Sequence, residues 1–188
     1  MKKTISILLV AMILSLGLSV HADDKEMNVF AGLGFAFSDV EGLFVDLGIE
    51  KQFKQNLFAM FFLSYYFDPT GFNTKGTLYG AGYEASVTLT GLNLAAVYKR
   101  AINEKLKWWA RAGILLALSR VKVTASYMGF TESYSDTGSD FGLSAGGGVE
   151  YLLKAKIALI LGAVIDTIFG DGSATWFKIF AGISYRLK

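Results

Sequence analysis

The chain has 188 residues, 53% of them hydrophobic, no cysteine, one histidine and a formal charge of +2. The missing cysteines exclude disulfides and thiolate metal sites, and so even a charge balance gives no electrostatic footprint for nucleic acid. Beyond the N-terminal segment no apolar run reaches the roughly 20 residues a spanning helix requires, although strands of about 9–11 residues would suffice to cross a bilayer.

The N-terminus reads Met1-Lys2-Lys3, then an apolar run over 5–20, then Val20-His21-Ala22 before Asp23-Asp24. A basic start, a greasy centre and a small residue at the end form a cleavable secretory signal peptide. We expect residues 1–22 to be removed and residues 23–188 to form one domain. Cleavage takes Lys2 and Lys3 with it, leaving sixteen cations against sixteen anions.

The first strand is expected over 28–38, with Val29, Ala31, Leu33, Phe35 and Phe37 on one face and Gly32, Gly34, Ala36 and Ser38 on the other. The second, 42–53, sets Leu43, Val45, Leu47, Ile49 and Phe53 against Asp46, Gly48, Glu50 and Gln52. Alternation of this kind marks a strand with one apolar and one polar side. Residues 57–68 form a third strand, apolar on both faces, whose phase is open. Residues 69–76 contain the single proline and read as a loop.

Residues 89–100 carry Leu92, Leu94, Ala96 and Tyr98 outward and Asn93 and Lys99 inward. Residues 78–88 alternate in the opposite phase, through Tyr79, Ala81, Tyr83, Ala85 and Val87. A bulge near Thr90-Gly91 would reconcile the two. The fifth strand, 106–119, directs Trp108, Ala110, Ala112, Ile114, Leu116 and Leu118 out and Lys107, Arg111 and Gly113 in. Residues 120–140 read as the longest irregular region. Strands follow over 141–153, with Gly142, Ser144, Gly146, Gly148 and Glu150 inward, over 157–169, and over 175–187. The last alternates Phe177, Ile179, Ala181, Ile183, Tyr185 and Leu187 with Lys178, Gly182, Ser184 and Arg186.

Eight strands result, joined by short polar turns on one side and by two long loops among the connections opposite, as outer-membrane barrels are. Aromatics collect at strand ends: Phe30, Phe53, Tyr98, Trp108, Tyr151 and Tyr185 on the turn side, and Phe37, Phe67, Phe169 and Phe177 on the loop side. Such girdles settle at bilayer interfaces.

The ending Gly182-x-x-Tyr185-x-Leu187 resembles the assembly signal on the final strand of bacterial outer-membrane barrels, although that signal usually ends on an aromatic. Residues 98–113 are similar to the central turn of the OmpA-type membrane domain. Together they make the chain resemble the small eight-stranded barrels of the OmpA-type and OmpX-like group. The resemblance implies an all-β, eight-stranded antiparallel up-and-down transmembrane β-barrel in the cell outer membrane. It further implies contact with lipid and lipopolysaccharide, delivery by periplasmic chaperones to the barrel-assembly machinery, a monomeric state, and loops that can meet a host or surface protein. No cofactor is expected.

An eight-stranded interior is just wide enough for side chains. The inward charges expected there are Asp46, Glu50, Glu150 and Asp166, with Lys99, Arg111, Lys178 and Arg186 opposite them. Buried charges must be paired, so a plug that holds the lumen together is preferred over an ion path. Asp46 and Glu50, four residues apart on one strand, stand about 13 Å apart, too far to form an acid–base dyad. Small barrels that act as enzymes rely on a histidine, and the one here, His21, lies in the signal segment. No catalytic, metal or cofactor-binding residues are therefore assigned. Gly80-Ala81-Gly82-Tyr83-Glu84-Ala85 matches a relaxed dinucleotide pattern, but it is flanked by strand on both sides where a following helix is required. A conduit for apolar molecules of the OmpW kind, hinted at by Phe58, Met60 and Phe62 if they face inward, would need a greasy lumen, and the interior charges expected above argue against it. Residues 127–136 combine aromatic and adaptable polar groups, a composition suited to protein recognition.

Overall fold

The computed structural model describes residues 25–70, 74–78, 81–127, 130–170 and 173–187. The expected signal segment lies outside them. Nine strands are found among the described residues: β1 (Met27–Ser38), β2 (Glu41–Lys54), β3 (Leu57–Thr70), β4 (Thr74–Leu78), β5 (Ala81–Ala101), β6 (Leu106–Tyr127), β7 (Phe130–Lys154), β8 (Ile157–Phe169) and β9 (Ala174–Arg186). All pair antiparallel with their neighbours, and pairing of β3 with β5 and of β1 with β9 closes the sheet into a ring of eight. Short β4 lies outside that ring and pairs only with the outer part of β5. Closure gives each strand of the ring a partner on both sides over its ring portion, which is what a lipid environment demands of a sheet.

Local chemistry sets the turns. Asn56 adopts a positive φ of 64° in the two-residue link between β2 and β3, a conformation asparagine tolerates. In the β5–β6 link the Asn103 Oδ1 accepts hydrogen bonds from the backbone N–H groups of Lys105 and Leu106, each at 2.9 Å. These turns and residues 155–156 lie at one end of the barrel, with the start of β1 and the end of β9.

One face of each strand in the ring points at lipid. Leu33, Leu47, Ile114, Leu143, Leu161, Ile179 and Ile183 are all exposed apolar residues on that face. Aromatics frame the band, with Phe37 stacked on Phe177 at 5.6 Å and Tyr98 against Trp108 at 5.4 Å. Phe30 departs from the expected girdle. It shares the parity of Gly32 and Gly34, points inward and meets Phe62 edge-on at 5.9 Å.

Two expectations are corrected at the loop end. No bulge interrupts β5: its register with β6 runs unbroken from Gly82 opposite Ser126 to Ala101 opposite Lys107. The shift of apolar residues from even to odd positions therefore marks where the strand leaves the membrane. Below that point the outward face meets lipid and must be apolar; above it the outward face meets water, and the apolar side chains turn to the inner face. The described residues of 120–140, namely 120–127 and 130–140, are also regular. β6 and β7 pair without interruption as far as Tyr127 opposite Phe130. β6 has 22 residues, about twice the 9–11 that cross a bilayer, so its outer half and that of β7 project beyond the membrane as a hairpin. Val121, Val123 and Tyr134 supply strand-forming side chains, and the hydroxyls of Thr124 and Ser133, and of Ser126 and Thr131, bridge the strands at 3.2 Å.

Candidate functional site

Alternation aims a second set of side chains into the lumen. β3, whose phase the sequence leaves open, directs Phe58, Met60, Phe62, Ser64 and Tyr66 inward, all buried. With Phe30, Phe44, Trp109, Trp176 and Phe180 they make an interior that is largely aromatic. Space is made for them by glycine: a side chain at Gly148 would strike the backbone carbonyl of Leu161, and one at Gly162 would strike the Trp109 ring. The indole of Trp176 donates to the Tyr66 hydroxyl at 2.9 Å.

Among these rings the charges form two groups. Nearer the turns, the Lys99 ammonium lies 2.7 Å from Glu50 and 2.5 Å from Glu150. The Asn28 amide donates to Glu50 at 3.0 Å. Deeper in the barrel, the Lys178 ammonium lies 3.0 Å from Asp166 and 3.8 Å from Asp46, and donates to the Ser64 hydroxyl at 3.3 Å. Lys178, Asp46 and Asp166 are fully buried. Each ammonium is thus held between two carboxylates from different strands, which ties β2, β5 and β7 together in one case and β2, β8 and β9 in the other.

Arg111 is buried but has no ion pair among the described residues. Its guanidinium lies over the Phe62 ring at 4.3 Å, with Trp109 and Phe180 at 5.9 and 5.8 Å. Such cation–π contacts strengthen when desolvated. Lys178 approaches the same Phe62 ring at 5.6 Å. Arg186, expected among the mid-span charges, lies instead at the turn-side rim, partly exposed and paired with Glu26 at 3.1 Å. Rim position follows from its place at the last residue of β9, where the chain has already reached the interface. Gly182 faces inward, close to the Ala31 carbonyl, while Tyr185 and Leu187 face outward.

Glu26, Asn28, Trp176 and the ring of Phe62 are participants that the charge pattern does not disclose. The parity of β1, β3 and β9 would find them, since each shares its face with a residue already assigned inward or follows from it once β3 is in register. Residues 81–85 of the glycine pattern lie in β5, strand in place of the helix that a dinucleotide site requires, and residue 80 lies outside the described residues.

The lumen is filled. The cavity lined by Glu50, Lys99, Trp109 and Arg111 measures about 20 Å³, room for roughly one water. Charge pairs and rings occupy the axis where a channel would run.

Comparison with known proteins agrees with this architecture. Crystal structures with the same fold include a major outer membrane protein from Thermus thermophilus (TM-score 0.68, 15% identity, covering 89% of this chain and all of that one). They also include Neisserial surface protein A (TM-score 0.58, 15% identity, 88% and 98%), and a de novo designed transmembrane β-barrel is similar too (TM-score 0.53, 13% identity, 89% and 100%). No curated protein sequence matches the chain significantly. The family model described as outer membrane protein beta-barrel domain matches residues 7–186, and with a closed eight-stranded ring and lipid-facing apolar band already in view, the chain belongs to that family of outer-membrane proteins.

Proposed function

We propose that this outer-membrane barrel is not an enzyme and acts at the cell surface, through the sheet that β5, β6 and β7 raise above the membrane, in an adhesin-like role. The observation that carries this reading is the projecting β6–β7 hairpin. Its inner face holds Tyr127, Phe130 and Tyr134, exposed at 51%, 78% and 69%, continued by Val121, Val123, Ala125 and, on β5, Tyr83. Its outer face carries Arg120, Lys122, Thr124, Ser126, Thr131, Ser133 and Ser135. One side of the ribbon is therefore uniformly polar, while the other sets aromatic and aliphatic side chains beside the carboxylates of Glu132 and Asp136. Aromatic groups held rigid on strands and left in contact with water are the composition of recognition surfaces. Residues 130–140 also extend beyond the pairing with β8, which begins at Phe141 opposite Phe169.

A narrow pore is the weaker reading, because the residues that would line it pack against one another across the axis. On the preferred reading the charge groups around Lys99 and Lys178 hold the lumen closed. Gly182, Tyr185 and Leu187 serve assembly, engaged by the barrel-assembly machinery after delivery by periplasmic chaperones, and the protein works as a monomer among lipid and lipopolysaccharide.

Replacing residues 121–136 with Asn-Gly tests the reading. That dipeptide suits a two-residue hairpin and would join Arg120 to Thr137, which are already paired. The shortened barrel is expected to keep the gel shift between unheated and boiled samples. Cells displaying it should adhere to matrix-protein-coated surfaces no better than cells lacking the protein. Undiminished adherence would assign the function elsewhere.

A further inference from the structure

The two ends of the barrel carry opposite charge. Five exposed cations crowd the three turns: Lys54 beside the β2–β3 link, Arg100 and Lys105 at the β5–β6 link, and Lys154 and Lys156 at the β7–β8 link. Glu104 is the one exposed acid at this end among the described residues. In the fourth gap, between β9 and β1, Arg186 is partly exposed and paired with Glu26. At the loop end the proportion reverses, with Asp39, Glu41, Glu84, Glu132 and Asp136 exposed against Arg120 and Lys122. Long cations that merely extend toward water would populate both rims alike. Here they are gathered at one.

The aromatic girdle fixes how deep these cations lie. Tyr98 and Trp108 face lipid and pack together at 5.4 Å, and such rings settle at headgroup level. Arg100 stands opposite Trp108 in the β5–β6 register, and Lys105 lies beyond it toward the turn. Their charged groups are therefore level with lipid phosphates, at the end where short turns face the periplasm. We infer that this rim is a binding belt for the anionic phospholipid headgroups of the periplasmic leaflet. A lysine or arginine near an anionic membrane surface gains about fivefold in binding, and cations spread over three turns engage several headgroups at once. Lipopolysaccharide, which belongs to the outer leaflet, lies at the opposite pole and does not reach these groups. The belt does not depend on the projecting sheet.

Tryptophan quenching by brominated phospholipid tests the belt. Of the three tryptophans, only Trp108 faces lipid; Trp109 and Trp176 are buried in the lumen. The refolded barrel is placed in vesicles of phosphatidylcholine mixed with phosphatidylglycerol, with bromines on the acyl chains of one lipid or the other. At low ionic strength brominated phosphatidylglycerol is expected to quench Trp108 as a lipid enriched severalfold beside it. That enrichment should vanish at about 1 M salt, where screening acts within about 3 Å. Arg100→Gln with Lys105→Gln is expected to remove most of the enrichment while the gel shift is retained, and Arg120→Gln with Lys122→Gln to leave it unchanged. Equal quenching by the two lipids in the unaltered protein would overturn the inference. So would undiminished enrichment in the folded turn-side variant, or an equal loss in the loop-side one. Should the turn-side double variant fail to fold, Lys105→Gln alone takes its place.

Discussion

Lys178→Met is expected to destabilise the barrel by about 3–5 kcal/mol, the cost of removing one partner from a buried ion pair. Methionine fills much the same volume, so the loss is electrostatic. Asp46 and Asp166, both fully buried, would lose the ammonium that lies between them. Urea-induced unfolding of the barrel in lipid vesicles measures the effect. Neutralising Asp166 in the same protein, as Lys178→Met with Asp166→Asn, should recover part of the loss, because fewer uncompensated charges remain. Two independent, additive losses would mean that the residues do not interact and that the lumen is wet enough to solvate each one. Replacing all three charges with apolar residues of similar volume is expected to be close to neutral, since desolvation offsets much of what a buried pair contributes.

Leu47→Arg is expected to cost about 2–4 kcal/mol, the penalty for a cation on the lipid face near the bilayer midplane. Leu47 sits centrally in β2, between Ala31 and Leu63, with its side chain exposed to lipid. Gln52→Arg, on the same strand, is expected to cost well under half as much. Gln52 has inward parity and lies near the turn end, where its Oε1 accepts from the Glu26 N–H at 3.3 Å, and a long cation there can reach water by extending along the rim. The fraction of each variant that inserts into vesicles and shows the folded gel mobility compares the two. Equal tolerance would contradict the assignment of inward and outward faces.

Much of the barrel is legible in the sequence because lipid imposes a simple rule on alternate residues. β2 and β9 each have charges on one side and large apolar residues on the other, and both strand limits and facing can be read from that contrast. β3 is ambiguous because its lumenal face carries Phe58, Met60 and Phe62 beside the apolar residues that meet lipid; only the register with β2 and β5 separates the two. The same excess of interior aromatics hides Phe30, whose ring at a strand end imitates a girdle residue.

The projecting hairpin escapes the sequence pattern for a different reason. Water on both sides of a sheet removes the demand for a uniformly apolar outer face, so residues 120–127 and 130–140 lose the lipid signature while keeping the strand. What remains in the sequence are Val121, Val123 and Tyr134 spaced among hydroxyl residues, with no composition to separate them from a loop. The apparent phase change in β5 has the same origin, an exchange of environments along a straight strand in place of a bulge. In the lumen, charge positions can be assigned from parity, but their grouping cannot. Which carboxylates share Lys99, and that Arg111 rests on Phe62 without an ion pair among the described residues, depend on cross-barrel neighbours that no single strand reveals.

Single-channel recording of the refolded protein in a planar bilayer tests the central claim most directly, namely that ion pairs and rings close the lumen and leave the outer sheet as the working surface. The structure predicts a folded barrel that is electrically silent. A steady conductance whose ion selectivity changes in Arg111→Glu would contradict it and make the lumen a path for ions.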